Sequence, residues 1–104
     1  MKPEDEGGEG TYVLRLYVAG ITTKSEAAIR SVTEICKTHL DGRYELEVID
    51  IYQQPSKAKG EQIVAAPTLI KQLPHPLRRL IGNMANKDKV LIGLDLRPRH
   101  ESGR

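Results

Sequence analysis

The sequence predicts a mixed α/β fold, with a strand, a helix and a strand in its first half and competing strand and helix signals in its second. Three observations lead there. TYVLRLYVA, Thr11 to Ala19, is dense in β-branched, aromatic and aliphatic residues, as a strand buried on at least one face requires. A segment with apolar residues at spacings of three and four follows, and then YELEVIDIY, Tyr44 to Tyr52, which alternates apolar with acidic positions before turning apolar throughout. From Ala65 to Leu96 the chain reads AAPTLIKQLPHPLRRLIGNMANKDKVLIGLDL, in which Pro67, Pro74 and Pro76 punctuate apolar runs that suit either element and Gly93 interrupts the last run.

Met1 to Gly10 carries Glu4, Asp5, Glu6 and Glu9 among glycines, too little apolar area to offset the entropy of ordering, so 1–10 is expected to be a disordered acidic tail. Gly20 should end the first strand. Thr23 and Glu26 have the spacing of a capping box, which starts the helix there, and Ala28, Val32, Ile35, Cys36 and Leu40 give it one apolar face. Asp41 and Gly42 close it. The two flanking strands should then be parallel neighbours joined by a right-handed crossover. Gln53 to Gly60 is polar, a loop or at most one or two helical turns. Beyond it, Leu73, Leu77, Leu80 and Ile81 favour a helix with Pro76 near its first turn, while VLIGLDL suits a strand or the core face of a helix. One domain over 11–96 is expected, followed by a basic flexible tail at 97–104.

Composition excludes several function classes. The net charge of +2 is the small difference between 16 basic and 14 acidic residues, so no overall field points to nucleic acid or an anionic membrane. With Cys36 the sole cysteine, no intrachain disulfide forms; no apolar run approaches the ~20 residues that span a bilayer. The acidic, glycine-rich start is the reverse of a secretion signal, and a cytoplasmic location is expected.

No catalytic constellation emerges. The β-α-β start followed by Ala66-Pro67-Thr68 is similar in layout to the thioredoxin fold, yet the loop where a redox dithiol belongs reads Ile21-Thr22-Thr23-Lys24. Cys36, on the apolar helix face, reads as a small buried thiol. His39, His75 and His100 are scattered without metal-ligand spacing, and Glu45 and Glu47 share one strand face that suits solvent. Gly7, Gly8 and Gly10 precede the first strand instead of following it, so no phosphate loop exists. Lys71, Arg78, Arg79, Lys87 and Lys89 form a local basic bias, followed by Arg97 and Arg99. A solvated helix face explains that bias first and an anionic protein surface second; nucleic acid comes third, because no aromatic stacking partners accompany it.

LRLYVAG, EVIDI, and AAPTLIKQLP, PLRRLIGN and KVLIGLDL, taken in order over Tyr12 to Leu96, resemble the KaiB family of circadian clock proteins. The resemblance implies a thioredoxin-like superfamily member with two arrangements: a ground state ordered βαββααβ, a homo-tetramer or dimer, and a thioredoxin-like monomer ordered βαβαββα. The ground state is the one expected at rest. It further implies a non-enzyme without cofactor or metal that binds the KaiC hexameric ATPase after a fold switch and alters its phosphorylation, in competition with a KaiC-linked histidine kinase. Neither nucleic acid nor membrane is a partner.

The resemblance attaches the balance of folds to Tyr12, Gly93 and Asp95, and KaiC docking to Lys71, Arg78 and Arg79. Pro67, Pro74 and Pro76 join the first group, since prolyl peptide bonds isomerise slowly enough to pace an exchange. Gly93→Ala should favour whichever arrangement makes its segment helical, by roughly 1 kcal/mol of propensity. The chain departs from the family pattern at Glu45 and Glu47, on the strand that meets KaiA in other members, which argues against KaiA as a partner. It departs again at the basic 97–104 and at His75 between two prolines. A divergent or non-cyanobacterial member acting on KaiC alone, in rhythm or stress timing, fits these departures. The alternative is a thioredoxin-like module without dithiol activity that serves signalling.

Overall fold

The computed structural model describes residues 11–63 and 66–96; the tails expected at 1–10 and 97–104, and Ala65, lie outside them. Seven elements follow in the order β1 (Tyr12–Val18), α1 (Thr23–His39), β2 (Tyr44–Asp50), α2 (Pro55–Gly60), β3 (Thr68–Leu73), β4 (Arg78–Ile81) and α3 (Lys87–Gly93). This is βαβαββα, the thioredoxin-like arrangement. The order expected at rest, βαββααβ, is therefore not the one this structure adopts.

The first half forms as its local signals dictate. β1 and β2 pair in parallel from Tyr12↔Tyr44 to Val18↔Asp50, with α1 as the crossover. Ala28, Val32, Ile35, Cys36 and Leu40 are all buried. The capping box lies one residue earlier than expected: Thr22 Oγ1 accepts from the Ser25 amide at 3.0 Å, and Ser25 Oγ accepts from the Thr22 amide at 2.8 Å. Two adjacent threonines leave the cap ambiguous by one position, and Ser25 supplies the reciprocal bond in place of Glu26.

The second half forms by pairing. β3 runs antiparallel to β1 and β4 antiparallel to β3, so the sheet is ordered β2-β1-β3-β4. The run expected to be a helix, Leu73 to Ile81, instead splits into the end of β3, a Pro74–Leu77 reversal and β4. Sheet partners decide this, since Leu80 opposite Leu69 and Arg79 opposite Ile70 add a fourth strand that no local propensity specifies. The Ala66–Pro67, Leu73–Pro74 and His75–Pro76 peptide bonds are cis. VLIGLDL resolves as a helix and its cap.

Two clusters flank the sheet. Tyr12, Leu14, Leu16 and Val18 alternate onto the side covered by α1 and α3, where they meet Val32, Ile35, Cys36, Leu69, Val90, Leu91 and Leu94. Tyr17, Ile49 and Ile70 face the other side. That second side is thinly covered, because α2 has only six residues.

Candidate functional site

Of the residues singled out by sequence, Tyr12, Lys71, Arg78, Gly93 and Asp95 converge on one corner, where the start of β1, the end of β3, the start of β4 and the end of α3 meet. The cap of α3 makes this corner. Leu96 N–H donates to Leu91 O at 2.8 Å and Asp95 N–H donates to Ile92 O at 3.0 Å, the paired bonds of a Schellman ending with Asp95 in the left-handed position at φ 64°. Asp is one of the few side-chain-bearing residues that enter this region at tolerable cost.

That turn aims the carboxylate of Asp95 at two cations. Oδ2 accepts from Lys71 Nζ at 3.1 Å and from Arg78 Nε at 3.0 Å, and Oδ1 from Arg78 Nη2 at 3.4 Å. Lys71 is 1% exposed, with its Nζ 5.8 Å from the centroid of the Tyr12 ring. A buried ammonium without a counter-charge is strongly unfavourable, so Asp95 and the ring face together are what allow a lysine inside. The arginine hydrogen bond, and after it the lysine, hold the Asp95 carboxyl below its usual range. Burial raises the Tyr12 phenol, with Arg43 opposing and Asp95 adding to the shift.

Gly93 completes the corner sterically. A Cβ at this position would collide with Leu80 Cδ2 and lie 2.8 Å from Leu80 Cγ, so the last turn of α3 seats directly on the β4 side chain. Leu80 is a residue that sequence reasoning missed, because its meeting with Gly93 exists only when β4 is a strand.

The other expected site residues are placed elsewhere. Pro74 and Pro76 lie in the β3–β4 reversal near the corner, and Pro67 lies at the opposite end of β3. Arg79 points away, with Nη1 donating to Glu61 O at 3.2 Å. Of the three residues expected as docking cations, Lys71 is interior in this arrangement, while Arg78 and Arg79 are exposed on β4. Glu45 is exposed, while Glu47 pairs with Lys57 at 2.8 Å and Arg15 at 3.4 Å.

Chemically, the corner is an ion-paired latch in which the Asp95 carboxylate is committed to Lys71 and Arg78. At the end that carries the dithiol in thioredoxins, Gly20 and Tyr52 donate their amides to Asp50 Oδ1 at 3.1 and 2.9 Å, fixing a loop that presents Ile21. Cys36 lies in the core with its thiol pushed up to about 11 by burial. Native protein should therefore leave Cys36 unmodified by a thiol reagent that labels it fully in denaturant; rapid labelling under native conditions would contradict the packing. Among the described residues no group of three His, Cys, Asp or Glu side chains could hold a metal ion.

The KaiB domain family profile matches residues 15–96. Circadian clock protein KaiB3 of a Synechocystis strain is 50% identical over 86 residues, covering 83% of this chain and 84% of that protein. The circadian clock oscillator protein KaiB of Thermosynechococcus vestitus is likewise 50% identical over 86 residues, covering 83% and 80%. Among solved structures, the N-terminal domain of Synechococcus elongatus SasA superposes with TM-score 0.68 at 20% identity, over 90% of this chain and 87% of that one. Oxidized mitochondrial thioredoxin 3 of Saccharomyces cerevisiae gives 0.66 at 18% identity, over 83% and 78%. These two likenesses establish the thioredoxin-like fold and nothing more. Half the aligned residues are shared with clock proteins over most of the chain, inside a family profile that spans both the crossover and the latch, and on that basis the chain belongs to the KaiB family.

Proposed function

We propose that this chain is a non-catalytic clock-type regulator that docks on a hexameric KaiC-type ATPase in the βαβαββα arrangement and shifts the phosphorylation state of that partner. The observation that carries the reading is the latch. One carboxylate, Asp95, ties β3, β4 and the end of α3 together beside β1, so repairing the second half into another order must break it. A single element on which two arrangements depend is what a conformational switch requires. The alternative order is βαββααβ, assembled as a tetramer or dimer, and dilution favours the monomer.

Arg78 and Arg79, both exposed on β4, are the docking cations in this reading; Lys71 holds the latch from inside. Glu45 and the ion-paired Glu47 on β2 argue against KaiA as a partner. The site of action is the cytoplasm, consistent with the finding that no described helix is long and apolar enough to cross a membrane. Size-exclusion chromatography with a cognate KaiC and ATP tests the proposal. Co-elution is expected after prolonged incubation and should weaken in Arg79→Ala, which leaves the latch intact. A native chain that never co-elutes would sink the functional reading.

A further inference from the structure

β4 is an outer strand of the sheet, and its register shows which of its backbone groups β3 uses. Antiparallel partners alternate between pairs that exchange hydrogen bonds and pairs that do not. Gly82 N–H donates to Pro67 O at 3.0 Å, so the pair just beyond the strand is of the bonded kind. Counting back through the register, Leu80 with Leu69 and Arg78 with Lys71 are bonded pairs, and Arg79 and Ile81 occupy the intervening positions. The amides and carbonyls of Arg79 and Ile81 therefore point away from β3. Among the described residues no strand lies beyond them.

Arg79 and Ile81 also share one side of the sheet, being two apart on a strand. Arg79 is exposed and Ile81 is 57% exposed, with Leu77, 50% exposed, just ahead of the strand. Arg78 lies on the other side, where Asp95 takes it. The charges at this edge are Lys71, Arg78 and Arg79 against Asp95 and Glu61, the latter also lending its carbonyl to Arg79, so the balance is positive. A second copy pairing through its own β4 would set arginine against arginine, and like charges across a strand pair repel. An extended segment of opposite charge suits the edge better.

From the outward backbone and the cationic and apolar side chains together, we propose that β4 binds the ATPase partner by strand addition. An extended segment of that partner pairs with the amides and carbonyls of Arg79 and Ile81, placing an acidic residue beside Arg79 and an apolar one, two positions along, beside Ile81. The proposal rests on the docking reading above and gives it a mode. Main-chain hydrogen bonds supply the affinity and the alternating side chains the selectivity. Only an arrangement in which 78–81 is a strand offers this edge, so the latch and the docking step are coupled.

Ile81→Pro tests the mode while leaving Arg78, Arg79 and the latch in place. Proline removes the outward amide, and an edge strand accepts it where that amide faces solvent. In size-exclusion chromatography with a cognate KaiC and ATP, the native chain should co-elute, and Ile81→Pro should need about ten-fold more protein for the same co-elution. Hydrogen exchange in the native complex, resolved by fragmentation mass spectrometry, checks the same point without a substitution. The Arg79 and Ile81 amides, fast in the free chain, should slow by about ten-fold or more on docking. Native docking with unchanged exchange at these two amides, or Ile81→Pro that binds as the native chain does, would overturn strand addition and leave the docking reading standing. Absence of native co-elution would overturn both. Protection of the two amides that rises with the concentration of the chain alone would place a second copy on the edge, and that too would overturn the proposal.

Discussion

Asp95→Asn should lower the stability of the βαβαββα arrangement by about 2 kcal/mol, a change of roughly 30-fold in its equilibrium constant. Asn tolerates the left-handed backbone at this position, so the substitution removes the charge and leaves the Schellman cap intact. What remains is the Lys71 ammonium, buried, facing Arg78 without a carboxylate between them. Losing one partner of a fully buried pair costs about 3–5 kcal/mol, and the 39% exposure of Asp95 reduces that figure through solvent screening. Lys71→Met in the same background should restore most of the loss, because an unbranched apolar chain fills the space without a charge. Urea midpoints of the native chain, both single variants and the double variant measure this as a thermodynamic cycle. If the double variant is no more stable than Asp95→Asn, the latch is not what holds this corner.

The same carboxylate sets a pH dependence whose sign is fixed. Because Arg78 and Lys71 depress the Asp95 pKa in the folded chain, the folded state binds the proton less readily than the unfolded one. The stabilisation is complete above the unfolded value of about 4 and is lost as pH falls through the folded value. The stability gap between native chain and Asp95→Asn should therefore be full near neutral pH and shrink on acidification. Glu34 and Glu47 are also depressed, by Lys87 and Lys57, but both remain in the Asn variant and cancel in the difference.

The crossover is legible in the sequence because its signals are local: a capped amphipathic helix between two strand-like runs admits one packing. The second half is not, since β4 has four residues and exists only through its pairing with β3. Lys71 reads as part of a basic bias in a list of charges, yet a sharper signal was present. It is the lone charge in TLIKQL, as Asp95 is in LIGLDL, and an isolated charge in an apolar run needs a partner of opposite sign if the run is buried. Matching those two residues would have located the latch. Nothing comparable announces Leu80 as the neighbour of Gly93, which depends on tertiary packing alone.

That neighbour decides what Gly93→Ala does. Alanine in the last turn of α3 gains up to about 1 kcal/mol of helix propensity over glycine, which favours this arrangement because the segment is helical here. The new methyl group, however, occupies the space of Leu80, whose Cγ as well as both Cδ atoms lie within 3.0 Å of it, so the leucine must leave its rotamer and partly leave the core. Overpacking of this kind costs about 1–3 kcal/mol, and the half-buried position of Leu80 on an edge strand puts the cost at the low end. In the native background the two terms should nearly cancel. In a Leu80→Ala background the clash is gone and Gly93→Ala should stabilise by about 0.5–1 kcal/mol, a coupling between positions 93 and 80 of roughly 1 kcal/mol. Gly93→Val, with only a few tenths of a kcal/mol of propensity gain (about 0.3) and two further carbons against Leu80, should cost about 3 kcal/mol. Equal effects of Gly93→Ala in both backgrounds would mean that β4 and α3 do not meet through these residues, and the balance assigned to Gly93 would have to act through the backbone alone.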